Sequence, residues 1–181
     1  MNPTALCDAS RSALIVIDLQ QRLMPAIHAG EQVIQRAHIL AQAARALGVP
    51  VIGTAQTPAK LGPNVADLHA LCNQVVEKDS FDACAEPAFL EALPGDRDQF
   101  IVVGCEAHVC VLQTVLGLLA RRRPARLIAD AVGSRDPANK AVALDRARAA
   151  GAEILTSEMV VFEWLQDSRH PRFRELMALI K

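Results

Sequence analysis

The segment 105–110, "CEAHVC", gathers two thiols, a carboxylate and an imidazole between an apolar run and a helical one. A thiol at the start of a helix feels the positive end of the macrodipole, and a nearby ammonium favours its thiolate further. Two distant residues carry the matching chemistry: Asp18 closes "ALIVID" and Lys78 closes "NQVVEK". A carboxylate within reach can take the proton of Cys110, so the three residue types together would make an activated nucleophile with a positioned base. Each also has a plainer role when taken alone. An aspartate at a strand end caps a helix or forms a turn. A lysine behind a strand is a solvated surface residue, and a cysteine in a first helical turn is a small core residue. Cys105 and His108 read in the plainer way, the first packed under a strand end and the second in the helix's first turn.

Only the order of the elements can bring such distant residues together. Six β-rich runs occur, at 13–18, 50–54, 73–78 and 100–104, with weaker ones at 125–130 and 152–156. Most are bare apolar runs rather than alternating ones, as in strands covered on both faces. Helical stretches separate them: 31–48, ending on Gly48; 108–123, running from the nucleophile segment; and 137–151, opening on proline and closing on glycine. A proline-led helix over 171–181 ends the chain, and 86–95 reads as a short helix. The segment 55–71, with two prolines and a glycine, reads as a loop with one short helical turn. Loops of that length are commonly functional, and 56–64 is expected to shape a pocket.

Alternating strands and helices predict a single domain over 1–181. It would be a three-layer α/β/α sandwich around a six-stranded parallel sheet of Rossmann-like order 3-2-1-4-5-6. Every strand then ends on one edge, and ligands bind there at the reversal of strand order. Asp18 and Cys110 fall on neighbouring strands. Lys78 lies two strands from Asp18, about 10 Å in backbone terms, a gap that spacing alone does not close.

Composition narrows the partners. The chain has 181 residues, half of them apolar, enough to bury about two thirds of its unfolded surface. A formal charge of −1 argues against nucleic acid or an acidic membrane surface. The one dense basic run, Arg121–Arg123, falls where a helix should end. "MNPTALCDASRS" has no apolar stretch of signal-peptide length, and no apolar run could cross a bilayer. Five cysteines without paired spacing point to a reducing cytoplasm. No glycine-rich phosphate loop follows a strand and no C-x-x-C occurs, which disfavours a nucleotide-binding or redox domain.

Taken in order, "ALIVIDLQ", "EKDSFDAC" and "VVGCEAHVCVLQTVLGLL" resemble the isochorismatase-like cysteine hydrolases, and "ADAVGSR" and "TSEMVVFEWL" extend the resemblance over nearly the whole chain. The likeness is to the metal-independent members, many without a known substrate. It implies a catalytic triad of Asp18, Lys78 and Cys110. Asp18 would take the thiol proton, Lys78 would hold the aspartate, and Cys110 would attack a small-molecule amide or related C–N/C–O bond through a thioester. The resemblance further implies a cis peptide at Cys105–Glu106, which turns the Glu106 N–H inward to form an oxyanion hole with the Cys110 N–H. Gln20 and Phe81 enter as pocket walls on the resemblance alone. Nicotinamidases of this family hold a metal through an Asp-x-His motif and a further histidine after the second strand. Here that region reads "TAQTPAKLGPN" and His69 stands alone, so neither metal nor cofactor is expected. Family members are commonly homo-oligomers, and Phe162, Trp164 and Leu165 are candidates for interface or core. The alternative is a catalytically silent scaffold that keeps the fold for oligomerisation.

Overall fold

The apolar runs pair into a six-stranded parallel sheet of order β3-β2-β1-β4-β5-β6 in a computed structural model that describes residues 6–180. The strands are β1 Ser12–Ile17, β2 Val51–Gln56, β3 Gln74–Lys78, β4 Gln99–Cys105, β5 Ala125–Gly133 and β6 Glu153–Leu155. The helices are α1 Gly30–Leu47, α2 Pro58–Leu61, α3 Ala66–Leu71, α4 Pro87–Ala92, α5 Leu112–Ala120, α6 Pro137–Ala149, α7 Ser157–Leu165 and α8 Phe173–Ile180. Class and strand order are those expected.

The central strands show why the runs lack alternation. Leu14 and Val16 of β1 join Ile101 and Val103 of β4 in a core closed by α1, α3, α7 and α8. Ala13, Ile15 and Ile17 join Phe100 and Val102 in a second core on the opposite face, closed by α4, α5 and α6. Side chains alternate between faces, but both faces are dry, so every position selects an apolar residue.

Three local readings are corrected. The segment 55–71 is not a loop: β2 continues to Gln56, Pro58 opens α2, and α3 follows. Proline suits a first helical turn, and Leu68 anchors α3 in the first core at 1% exposure. Beyond β6, Thr156 caps a helix that periodicity left unassigned, accepting from the Met159 N–H at 3.3 Å. That helix, α7, buries Trp164 and Leu165 and leaves Phe162 exposed, so the first two are core residues. Strand β5 runs three residues past its expected end, and its register against β4 shifts between Val102 and Gly104.

Gly104 lets the ends of β1 and β4 come together. Its φ is +125°, and a Cβ there would collide with the carbonyl oxygen of Ile17. Only glycine permits so close an approach of the two backbones. Among the described residues, no helix is long and apolar enough to cross a membrane.

Candidate active site

Strand β1 stops at Ile17, and Asp18 takes a left-handed φ of 50°. Few residues other than glycine tolerate that region, aspartate among them. The turn meets β2, where the Thr54 hydroxyl donates to Asp18 Oδ1 at 2.6 Å. The other carboxylate oxygen, Oδ2, lies 2.8 Å from Lys78 Nζ, and both side chains are fully buried.

The gap left open by strand spacing is thus closed. Lys78 pairs with Gln56 across the end of β2, and its side chain leans over that end to reach Asp18. Its ammonium also donates to Gln56 Oε1 at 2.6 Å and to the Ser80 carbonyl at 3.1 Å. Two of its protons are thus spent on neutral acceptors, and Asp18 Oδ2 is held by charge, as an ion pair rather than an aligned hydrogen bond.

Cys110 arrives from β4. The Cys105–Glu106 peptide is cis, as the resemblance implies, and the chain then makes a wide π-type turn over Ala107–Val111 that leads into α5. The thiol donates to Gln56 Oε1 at 3.8 Å and interacts with the side chains of both Asp18 and Lys78. Cys110 is buried, with 7% of the residue exposed against 0% for Asp18.

Electrostatics revise one expectation. Burial, and then the Asp18 carboxylate, push the Cys110 thiol up to about 12; the Lys78 ammonium pulls the other way and only partly offsets them. Desolvation opposes the charged form more strongly here than the helix start and the ammonium favour it. The resting group is a thiol, not the thiolate that helix position alone predicts.

The other expected residues fall as follows. The Glu106 carboxylate accepts from the Arg135 backbone N–H at 2.9 Å and from its guanidinium at 3.1 Å. Burial raises its pKa, but the Arg135 N–H and guanidinium outweigh that and hold it below the ordinary carboxylate range. Cys105 is buried under the strand end, and His108 Nδ1 meets Ser134 Oγ at 3.0 Å. Gln20 has no accessible surface; its amide bonds the Gln56 and Gly62 carbonyls and accepts from the Gln56 N–H. It shapes the site by fixing Gln56 and the 56–62 segment. Phe81 is 52% exposed beyond the end of β3. A cavity of about 300 Å³ at the end of β3 is lined by Pro58, Glu77, Lys78, Asp79 and Glu86, and Phe81 is not part of that lining. Among the described residues, no three His, Cys, Asp or Glu side chains are grouped to hold a metal ion.

Sequence reasoning missed Thr54 and gave Gln56 only as the start of a pocket-shaping segment, not as a partner of the lysine and the thiol. Their signal is present in "VIGTAQ": two polar residues two apart, at 0% and 8% exposure, ending a strand that is otherwise apolar. A pair at i and i+2 shares one face of a strand, and here that face looks toward Asp18 and Lys78.

Known proteins carry the same arrangement of elements. The chain is 36% identical over 171 residues to isochorismatase domain-containing protein 2 of Danio rerio, covering 93% of this chain and 86% of that one. Its structure is similar to that of a protein named MAR1 ribonuclease from Caenorhabditis elegans. The two share a TM-score of 0.92 and 36% identity over 97% of this chain and 92% of that one. It shares its fold also with the YcaC gene product of Escherichia coli, described as an octameric hydrolase of unknown specificity. There the TM-score is 0.87 at 23% identity, covering 98% of this chain and 97% of that one. The isochorismatase domain family model matches residues 12–159. With most of its length matched in sequence and its sheet order reproduced, this chain belongs to the isochorismatase domain family.

Proposed function

We propose that the chain is a cysteine hydrolase that cleaves a small-molecule amide or related C–N/C–O bond. Asp18, Lys78 and Cys110 are its catalytic residues. The observation that carries this reading is the fully buried Asp18–Lys78 pair, 2.8 Å apart, interacting with the Cys110 thiol. A buried ion pair is a poor way to gain stability, so its retention beside a nucleophile favours a chemical role.

With burial and the Asp18 carboxylate pushing the thiol up, the free thiolate is disfavoured at neutral pH. Proton transfer therefore accompanies attack. As Sγ bonds to the carbonyl carbon, the thiol proton passes to Asp18 Oδ2, and the oxygen's new charge rests on the Glu106 and Cys110 N–H groups. Asp18 returns the proton to the leaving nitrogen or oxygen as that bond breaks, leaving a thioester on Cys110. Water attacks the thioester, gives a proton to Asp18 and releases the acid, and the proton returns to sulfur. Lys78 stays charged throughout and steadies the carboxylate between its two forms.

Several secondary features agree with this reading. Free cysteines fit a reducing, cytoplasmic setting. A homo-oligomer is proposed by analogy with the octameric bacterial protein. The ribonuclease name of the nematode relative is not carried over, because a formal charge of −1 offers little to a polyphosphate backbone. The test is a screen of small amides and esters, with acyl-enzyme trapping and mass spectrometry. The expected result is turnover and an acyl adduct on Cys110, both lost in Cys110→Ala. Turnover that survives Cys110→Ala overturns the proposal.

A further inference from the structure

A second cavity, also of about 300 Å³, opens on the same edge of the sheet on the far side of β4, between the first turns of α1 and α6. Its polar lining is His28, Gln32, Arg36, Asp130, Ser134 and Lys140, and none of these belongs to the triad. We infer that this cavity is a binding site for a small oxyanion of the phosphate type.

The lining is cationic. Arg36 and Lys140 stand against one acid, Asp130, which leaves a net positive charge before His28 is counted. Asp130 is already occupied: Oδ1 accepts from the Ser157 N–H at 2.8 Å and Oδ2 from the Ser157 hydroxyl at 2.6 Å. Arg36 Nε approaches it only to 3.8 Å, so most of the guanidinium fork remains available. Lys140 is half-buried and forms no ion pair among the described residues. Burial lowers its pKa, with Asp130 only partly opposing, which is the condition that an anion beside it would relieve.

Shape agrees with charge. The α1 and α6 helices, of 18 and 13 residues, both begin at this cavity, but Asp136 caps α6 and Glu31 lies in the first turn of α1, so the positive field there comes from the Arg36 and Lys140 side chains. A volume of about 300 Å³ is at the small end of ligand sites, suited to a compact ion rather than a polymer. The cavity also touches the nucleophile's turn. The Ser134 carbonyl accepts from the His28 N–H at 3.1 Å, while its hydroxyl meets His108 Nδ1, two residues before Cys110.

The test is calorimetric titration of the full chain with inorganic phosphate at low ionic strength. Saturable binding is expected in the wild type. Lys140→Gln and Arg36→Gln should each weaken it about tenfold or more, the loss of one charge-assisted contact. Arg148→Gln, which removes a charge from the same helix outside the cavity, and Cys110→Ala should both bind as the wild type does. The inference is overturned if the wild type shows no saturable binding or if Lys140→Gln and Arg36→Gln both bind as tightly. It is equally overturned if Arg148→Gln or Cys110→Ala loses as much. It does not rest on the proposed hydrolysis, and Cys110→Ala separates the two: a catalytic failure leaves this binding intact.

Discussion

Replacing Lys78 with methionine tests the centre of the site. The side chain keeps nearly the same length and loses its charge. At 2.8 Å the Asp18–Lys78 pair attracts by about 6 kcal/mol at an effective dielectric of 20, and both side chains are out of water. Removing the ammonium leaves the carboxylate buried with the Thr54 hydroxyl as its remaining neutral donor. Breaking such a pair from one side costs about 3–5 kcal/mol. Asp18→Asn should cost less, because Lys78 would keep Gln56 Oε1 and the Ser80 carbonyl as acceptors. The double variant should be more stable than the sum of the singles implies, by about 2 kcal/mol or more. Urea unfolding can be followed through Trp164, the chain's single tryptophan, which is 3% exposed and donates to Ser12 Oγ. With a slope of about 2–3 kcal/mol/M, Lys78→Met should lower the midpoint by about 1–2.5 M. A midpoint within about 0.3 M of the wild type, or strict additivity of the two changes, would refute the reasoning.

The raised thiol predicts how Cys110 responds to pH. Because the folded site favours the protonated form, its alkylation by iodoacetamide should climb about tenfold per pH unit from 7 to 10 without a plateau. Asp18→Asn removes one cause of the upward shift and should speed labelling at pH 8; a wild-type plateau below pH 8 would show a resting thiolate instead. Gln56→Ala deprives the Lys78 ammonium of its 2.6 Å acceptor and should destabilise the fold by about 1.5–3 kcal/mol in the same urea assay. A loss below about 0.5 kcal/mol would mean that Gln56 does not hold the lysine in place.

Much of this molecule is legible along the chain because local patterns report on burial. Ala13 to Ile17 is uninterruptedly apolar since alternate side chains enter two different cores. The polar residues that close such runs stand out for the same reason, and they led to Asp18 and Lys78. Local signals misled where tertiary contacts overrode them. The prolines and glycine of 55–71 read as a loop, whereas β2 carries on to Gln56 and Leu68 ties α3 into a core. Helix α7 escaped because "MVVFEWL" is apolar on almost every side and shows no helical period.

The amino-acid order by itself determined the alternation of elements, hence a parallel sheet with its strand ends on one edge, and it carried the motifs of the family. Folding alone decided that Lys78 crosses the end of β2 to within 2.8 Å of Asp18, and that Gln56 holds both the ammonium and the sulfur. It also decided that Cys110 rests as a thiol. Contact between side chains on three strands depends on sheet twist and side-chain reach, and a proton's affinity depends on how much water surrounds it. Both are properties of three-dimensional surroundings, which no spacing along a chain encodes.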